Sequence, residues 1–343
     1  MRDGRRPIAS DLVPRGLALY RSGMALDLPD FVQPDFDATR LRVERATVAF
    51  EAGRRARRAQ RPQSGRARCA ALGIDAQVTF CHPDGGLFVP GAPDDVARAT
   101  GWLYRHTDCL DALFFSLDTH RTHQIFHPAW WRDADGAPPP PMTVIHAEDI
   151  ESGKWTPRHD VELALEYAKK LEATGRYVLT IWPYHGLLGG VSHALMPSLM
   201  EAATFHAGYH DRSPFMVTKG GHEMSEHFSI FRPEVEALGG KPVEGFNEAL
   251  LNRLLEFDRV YVFGQAKSHC VLSSLRDLKE RLEGDRPEAL KKFHLLEDCM
   301  SPVTPPPLDP LPEALNFPVI AERAFDDFEA AGMVRTRSDR PLD

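Results

Sequence analysis

Cys270 lies where an apolar segment breaks at glycine and a new helix is expected to begin. The segment reads Val260-Tyr-Val-Phe-Gly264-Gln-Ala266-Lys-Ser-His-Cys270-Val. The positive end of a helix favours thiolate over thiol, and free backbone N–H groups in such a turn can bind the oxyanion that forms when sulfur attacks a carbonyl. A lone cysteine is also often a small buried apolar residue. Its neighbours therefore decide whether Cys270 is a nucleophile.

Two other apolar segments each deliver a charged residue to a glycine-containing turn. Asp75 follows the run Cys69-Ala-Ala-Leu-Gly-Ile, and Lys219 follows Phe215-Met-Val-Thr and precedes two glycines. In open α/β sheets, ligands bind outside the carboxyl ends of the strands. Either residue alone is equally a solvated charge or a helix cap. Combined with a thiol, they supply the base and the cation that attack on an amide carbon requires.

A carboxylate and two imidazoles form a second candidate cluster. Asp118-Thr-His120 follows the apolar run Leu113-Phe-Phe-Ser-Leu, and His185 ends the segment Trp182-Pro-Tyr-His. Borderline divalent ions accept nitrogen and oxygen ligands together, and three protein ligands leave positions open for water or substrate. Histidines are also common polar surface residues, so the residues alone do not decide between a metal site and a polar surface.

In chain order, Asp75, Lys219 and Cys270 resemble the catalytic triad of the isochorismatase-like cysteine hydrolases, and of the nicotinamidase/pyrazinamidase-like branch in particular. The likeness extends to the motifs Asp-x-Gln-x-x-Phe at 75 to 80, Gly-Gly-Leu-x-Val-x-Gly-Ala, Lys-Gly, and Gly-x-Ala-x-x-x-Cys-Val at 264 to 271. The family implies a three-layer α/β/α fold with a mostly parallel central sheet. It also implies hydrolysis of a small carboxamide through a Cys thioester, with nicotinamide, converted to nicotinate and ammonia, as the expected substrate.

The same resemblance implies a divalent metal ion. In nicotinamidases an Asp-x-His motif and a later Trp-Pro-x-His motif supply the ligands, which points to Asp118, His120 and His185. Zn²⁺ is the expected ion, with Fe²⁺ and Mn²⁺ as alternatives. His123 and His127 lie close by in the sequence but do not keep the family's spacing. Each is a fourth ligand, a partner of a ligand or polar surface.

Further residues match the family's substrate contacts. The backbone N–H groups of Ala266 and Cys270 match its oxyanion hole, and the bond between Gln265 and Ala266 is where these enzymes carry a cis peptide. Phe80 and Trp182 match positions that flank the aromatic ring of the substrate. Without the resemblance, both aromatic residues are equally ordinary core residues.

The composition favours a cytoplasmic enzyme acting on a small-molecule amide. The chain has 343 residues, 43% of them hydrophobic and 26% charged, which is ordinary for a globular protein. A net charge of −8 argues against nucleic acid as a partner, and the sequence contains no membrane-length apolar run. Five cysteines without paired spacing indicate a reducing compartment. We expect a homo-oligomer.

Alternating strands and helices predict the parallel sheet independently of the resemblance. Strands are predicted at 69–74, 112–117, 177–182, 214–218, 259–263 and 293–297, and helices at 93–107, 159–173, 246–256 and 270–283. We divide the chain into an N-terminal extension (1–67), a hydrolase domain (68–335) and a tail (336–343). The extension is expected to contain a helix at 36–61. Residues 128–176 form a long insertion, interpreted as a lid or a subunit interface.

Two alternative functions remain open at this point. Another amidase of the same family would keep the thiol chemistry and act on a different small amide or urea-like compound. A non-catalytic binding or assembly protein would use the extension, where seven arginines fall between residues 54 and 68. The segment after Lys219, Gly-Gly-His-Glu-Met-Ser-Glu-His-Phe-Ser, is expected to be helix surface, with a second polar substrate contact as the alternative.

Overall fold

The computed structural model describes residues 27–33, 36–59, 65–305 and 309–342. In chain order its strands are β1 (Cys69–Ile74), β2 (Leu110–Asp118), β3 (Trp131–Arg132), β4 (Val144–Ile145), β5 (Thr156–Pro157), β6 (Leu179–Thr180), β7 (Phe215–Lys219), β8 (Ala237–Leu238), β9 (Lys241–Pro242), β10 (Arg259–Gly264), β11 (Phe293–Leu296) and β12 (Val334–Thr336). Its α-helices are α1 (Ala46–Ala59), α2 (Val78–Cys81), α3 (Ala92–Arg105), α4 (Ala147–Glu151), α5 (Val161–Ala173), α6 (Pro197–His210), α7 (Glu248–Leu255), α8 (Leu272–Glu283) and α9 (Phe317–Ala330). A π-helix, Lys267–Val271, leads into α8.

Six parallel strands form the central sheet in the order β12-β11-β10-β1-β2-β7. All six residues of β1 are buried, as expected for a parallel strand covered on both faces. Side chains alternate between the faces of a strand. Leu72 accordingly packs in the core shared with α7, α8 and α9, and Ala71 packs in the core shared with α1, α3 and α6. The predicted three-layer α/β/α fold is confirmed.

A third apolar cluster lies beside these layers and belongs mainly to the long insertion. Trp131, Tyr167 and Leu179 are fully buried in it. The prediction that residues 177–182 form a strand of the central sheet is wrong. Only β6 forms there, and it pairs antiparallel with β4. The apolar side chains of this run are buried in the third cluster instead.

The helix predicted at 36–61 begins only at Ala46, and its final two residues lie outside the described ranges. This helix, α1, packs closely on α6. A Cβ added to Gly53 would lie 2.0 Å from Phe205 O, and one added to Gly208 would lie 2.0 Å from Phe50 O. Glycine is therefore needed on both sides of the contact. The proposed domain boundary at residue 68 stays a prediction.

No α-helix in the described ranges combines the length and the apolar composition needed to cross a bilayer.

Candidate active site

The candidate residues gather at the carboxyl edge of the central sheet. Asp75 follows β1, Asp118 ends β2 and Lys219 ends β7. The parallel register pairs Asp118 with Lys219, and it pairs Ile74 with Gly264, the last residue of β10. Parallel strands end at the same edge, so residues far apart in the sequence become neighbours there.

The Lys219 ammonium group lies at the centre of the cluster. Its Nζ is 2.9 Å from Asp75 Oδ2 and donates hydrogen bonds to Asp118 Oδ1 at 2.8 Å and to Cys270 Sγ at 3.7 Å. A third hydrogen bond, of 2.8 Å, reaches the carbonyl oxygen of His227. Burial opposes a charged amine, but the two carboxylates outweigh it and raise the pKa of Lys219 well above its usual value. Lys219 is therefore a fixed cation beside both acids and the thiol.

Asp75 is held in place from β2. Its φ angle of 46° lies in the left-handed region, which is uncommon for a residue with a side chain. The Ser116 hydroxyl donates to Asp75 Oδ1 at 2.5 Å and accepts from the Asp75 N–H at 3.0 Å. Complete burial raises the pKa of the Asp75 carboxyl, while the Lys219 charge opposes that rise. A carboxyl with a raised pKa is a better proton acceptor than an ordinary exposed aspartate.

Cys270 lies in the π-helix rather than at the start of a regular α-helix. Burial raises the pKa of its thiol well above the usual value, although the Lys219 charge acts in the opposite direction. Burial thus favours the neutral thiol, and the Lys219 charge favours the thiolate. A proton acceptor is needed at the moment of attack, and the candidate is the Asp75 carboxyl group, which contacts the same Lys219 Nζ as the thiol.

The Gln265–Ala266 peptide bond is cis, as predicted. Its surroundings are fixed by side-chain contacts, because Gln265 Nε2 donates to Asp95 Oδ2 at 2.8 Å and Gln265 Oε1 accepts from the Ser301 N–H at 3.3 Å. Ala266 immediately precedes the π-helix and lines the same cavity as Cys270. The assignment of the Ala266 and Cys270 N–H groups to an oxyanion hole stays a prediction.

Asp118, His120 and His185 converge on one point, and each is buried. Their ligand atoms all lie within 4.8 Å of one another. Asp118 Oδ2 is 2.9 Å from His120 Nε2 and 3.6 Å from His185 Nε2. A tetrahedral ion with bonds of about 2.1 Å holds neighbouring ligand atoms about 3.4 Å apart. The spacing of the three donors therefore fits a divalent ion.

The second nitrogen of each imidazole is engaged by the backbone. His120 Nδ1 lies 3.2 Å from Gly220 O, and His185 Nδ1 lies 2.8 Å from Pro183 O. A carbonyl oxygen accepts a hydrogen bond, so a hydrogen placed on Nδ1 of each ring would leave Nε2 free to bind a metal ion. This is the tautomer that binds a metal ion through Nε2.

Two residues of the recognised motifs support this cluster. Gln77 accepts from the Asp118 N–H at 2.7 Å and donates to Asp118 O at 3.0 Å, which fixes the end of β2. Gly220 has a φ of +81°, and a Cβ there would lie 2.9 Å from both Asp118 Oδ1 and His120 Cε1. These contacts explain why the Asp-x-Gln motif has glutamine at position 77 and why the Lys-Gly motif has glycine at position 220.

His123 and His127 do not join the three-residue cluster of described residues. His123 packs against Trp130, with ring centroids 4.5 Å apart. His127 is fully buried, with its ring centroid 6.0 Å from that of His120. Burial, followed by the charges of the neighbouring histidines, lowers the pKa of His127 to about 3. It is therefore a neutral ring beside the metal ligands.

A cavity of about 510 Å³ opens onto Cys270 and the metal-ligand cluster. Phe80 and Trp182, the predicted ring contacts, both line it. Phe80 packs edge-on against His185 at 5.8 Å between centroids. The candidate nucleophile, the candidate metal ligands and two aromatic side chains therefore line one apolar cavity, as expected for a small-molecule site.

Sequence reasoning missed three polar residues of this site. Ser116 interrupts the apolar run of β2, a signal that was available in the sequence. Glu226 and His227 line the cavity and are 3% and 8% exposed, so the expectation of helix surface for their segment is wrong. The segment lies between β7 and β8 and forms turns rather than a helix. A run of alternating polar residues carries no signal that it will be buried.

Comparison with known proteins bears on the fold. No protein-family model and no curated protein matches the chain. Among solved structures, a nicotinamidase/pyrazinamidase from Acinetobacter baumanii is similar at a TM-score of 0.50 and 18% identity, over 80% of this chain and 98% of that one. The yeast nicotinamidase Pnc1p, solved with the inhibitor nicotinaldehyde, is similar at a TM-score of 0.50 and 14% identity, over 78% and 99%. The chain therefore has the α/β fold of the nicotinamidase and pyrazinamidase structures, which is the fold that the resemblance implied.

Proposed function

We propose that the protein is an amidohydrolase that cleaves a small carboxamide, with nicotinamide as the first candidate substrate. One observation carries the proposal. The Lys219 ammonium group contacts Asp75, Asp118 and Cys270 at the edge of a single cavity. A buried carboxyl base and a thiol that both contact one cation provide the groups that amide cleavage requires.

The chemistry begins with proton transfer from Cys270 to Asp75. As the sulfur bonds to the carboxamide carbon, the carbonyl electrons move onto oxygen, where backbone N–H groups of Ala266 and Cys270 stabilise the negative charge. Asp75 then gives the proton to nitrogen, the C–N bond breaks and ammonia leaves. Water attacks the thioester with Asp75 as base, which releases the acid and restores the thiol.

The metal ligands support a role in substrate placement. Asp118, His120 and His185 would hold a divalent ion, expected to be Zn²⁺, in the cavity wall. When bound, that ion supplies a Lewis acid for a ring nitrogen or for a water molecule that contacts it. Phe80 and Trp182 provide apolar surface for the ring itself.

We propose a small-molecule amide as the sole partner class, with neither nucleic acid nor membrane, a homo-oligomeric state and a cytoplasmic location. The non-catalytic alternative is disfavoured because every member of the candidate triad is present and in contact. A related amide or urea-like substrate stays the principal alternative to nicotinamide.

The deciding experiment measures ammonia release from nicotinamide by wild-type protein and by Cys270→Ala. Cys109→Ala, which removes a half-buried thiol that does not line the cavity, is the matched control. We expect turnover in the wild type and the control and none in Cys270→Ala. Equal release by Cys270→Ala would disprove the nucleophile assignment. If the metal-loaded wild type releases no ammonia from nicotinamide but hydrolyses another small amide, only the substrate is wrong.

Metal content of the same preparations tests the ligand assignment. Asp118→Ala and His185→Ala are expected to lose a metal ion that the wild type binds at about one equivalent. Full activity in metal-free wild-type protein would contradict the assignment.

A further inference from the structure

Glu226 is a buried carboxyl group in the wall of the cavity, and no role in the proposed chemistry accounts for it. Its side chain is 3% exposed and lines the same cavity as Cys270. The charged groups among the largest influences on it are acids, Glu234 and Asp118, and it forms no ion pair with any residue in the described part of the chain. Burial raises the pKa of Glu226 to about 8, and the Glu234 charge adds to the effect. A buried acid without a compensating cation is costly, and such groups are concentrated at functional sites.

Two neutral donors hold the carboxyl group in a fixed orientation. Trp182 Nε1 donates to Glu226 Oε1 at 2.6 Å, and the Tyr167 hydroxyl donates to Glu226 Oε2 at 3.1 Å. The Glu226 N–H donates back to the Tyr167 oxygen at 3.0 Å. Each carboxylate oxygen can accept two hydrogen bonds, so each keeps accepting capacity for a ligand. The Glu226 carboxyl group is therefore held in a fixed orientation, and its oxygens can still accept hydrogen bonds from a ligand.

The surroundings of this carboxyl group are aromatic. The walls of the cavity include the rings of Phe80, Phe126, Trp182 and Phe228. Ring faces attract cations electrostatically, and the attraction is strongest where water is excluded. A carboxyl group among aromatic rings is thus suited to a positively charged group, because a bound cation would stabilise the ionised form of Glu226, and it is poorly suited to an anion.

We propose that Glu226 and the aromatic walls form a subsite for a positively charged substituent, so that the protein selects a small amide that also carries an ammonium group. This inference rests on the proposed amidohydrolase function, which makes the bound compound a small amide. It narrows the substrate class from any small carboxamide to a cationic one. Tyr167 belongs to α5, so the long insertion helps to build the subsite.

The test compares two compounds of nearly equal shape on metal-loaded protein. The compounds are 5- and 6-(aminomethyl)nicotinamide, which are cationic at pH 7, and the neutral 5- and 6-ethylnicotinamides. Dissociation constants are measured by calorimetry in the Cys270→Ala background, so that the result does not depend on turnover. We expect at least one aminomethyl compound to bind about tenfold more tightly than its ethyl counterpart.

Substitution of Glu226 identifies the source of that preference. Glu226→Gln keeps an acceptor for Trp182 Nε1 but cannot ionise beside a bound cation, and we expect the affinity ratio to fall to about one. Glu234→Gln removes a neighbouring acid that does not line the cavity, and the ratio is expected to persist. The proposal is overturned if the ethyl compounds bind as well as the aminomethyl ones, if neither pair binds, or if Glu226→Gln keeps the ratio. In the last case Glu226 only positions Trp182. Because binding is measured without turnover, a failure of the protein to hydrolyse nicotinamide would not change how these affinities are interpreted.

Discussion

Lys219 joins two groups of residues that the sequence presents separately. It pairs with Asp75 of the candidate triad and with Asp118 of the metal-ligand cluster, and it is 4% exposed. Removing one partner from a buried ion pair leaves an uncompensated charge, which costs more than the pair itself contributes.

Replacing Lys219 with methionine keeps the length of the side chain and removes its charge. We expect no measurable turnover and a loss of about 3–5 kcal/mol in the free energy of unfolding, because Asp75 and Asp118 lose their shared cation. Denaturant unfolding at pH 7 measures the effect. Lys279→Met, which breaks partly exposed pairs with Glu283 and Asp327, is the control and should change stability by less than about 1 kcal/mol.

Glu226 makes stability depend on pH in a defined direction. Its pKa rises from 4.5 to about 8 on folding, so the folded protein binds more protons than the unfolded chain between these values. Stability is therefore lost as pH rises from about 5 to 8. Glu226→Gln cannot ionise, and its stability relative to wild type should increase over that window by up to roughly 4 kcal/mol. Unfolding at several pH values tests this, with Glu162→Gln, a substitution at an exposed position, as the control. A flat difference for Glu226→Gln itself would be contrary evidence.

At the scale of elements, the ends of the strands bring the site residues together, and the backbone conformation of the turns sets their exact positions. The turn after β7 needs glycine at 220, where φ is +81°, and tolerates other residues at 221, where an added Cβ meets nothing within 4 Å. The two adjacent glycines thus provide a matched comparison.

Gly220→Ala should strain the turn and push against Asp118 and His120. We expect a large fall in bound metal, measured by elemental analysis, and a loss of stability of about 1–3 kcal/mol. Gly221→Ala should retain the wild-type metal content. Similar behaviour of the two variants would contradict the described backbone geometry.

The sequence predicted those elements that a local residue pattern specifies without help from distant contacts. Apolar runs ending in Asp75, Asp118 and Lys219 predicted the sheet edge, since parallel strands must end together. Helix α6 was not predicted because its buried residues lie on all sides, which removes the polar face that helix recognition needs. The run at 177–182 was wrongly assigned to the sheet, because an apolar run does not specify which core will bury it. The inward turn of Glu226 depends on Tyr167 and Trp182, contacts that no local pattern encodes.

At the scale of the whole molecule, α1 is packed into one layer of the sandwich. Its contact with α6 depends on Gly53 and Gly208, each facing a backbone carbonyl of the other helix. Arg45 pairs with the buried Glu201 of α6 at the start of the same interface. The part of the N-terminal region that the structure describes thus contributes to the core that supports β1.

Alanine at Gly53 tests this contribution. Alanine normally stabilises a helix relative to glycine by about 1 kcal/mol, but here its Cβ would overlap Phe205 O. We therefore expect the opposite sign, a loss of about 1–3 kcal/mol in thermal or denaturant unfolding. Gly284→Ala, where an added Cβ meets nothing within 4 Å, is the control and should be neutral or slightly stabilising. Stabilisation by Gly53→Ala would show that the helices are not in close contact.

Asp118 carries a consequence that extends across the whole site. One of its oxygens faces the imidazole nitrogens and the other accepts from Lys219, which also contacts the thiol. Thermodynamic linkage is reciprocal, so any change in charge at Cys270 must alter affinity for the ion by the same factor by which the ion alters the ionisation of the thiol. Alkylation of the Cys270 sulfur would therefore change the affinity for the ion, and chelation of the ion would change the reactivity of the sulfur. An inhibitor directed at one of these sites would alter the sensitivity of the protein to an inhibitor of the other.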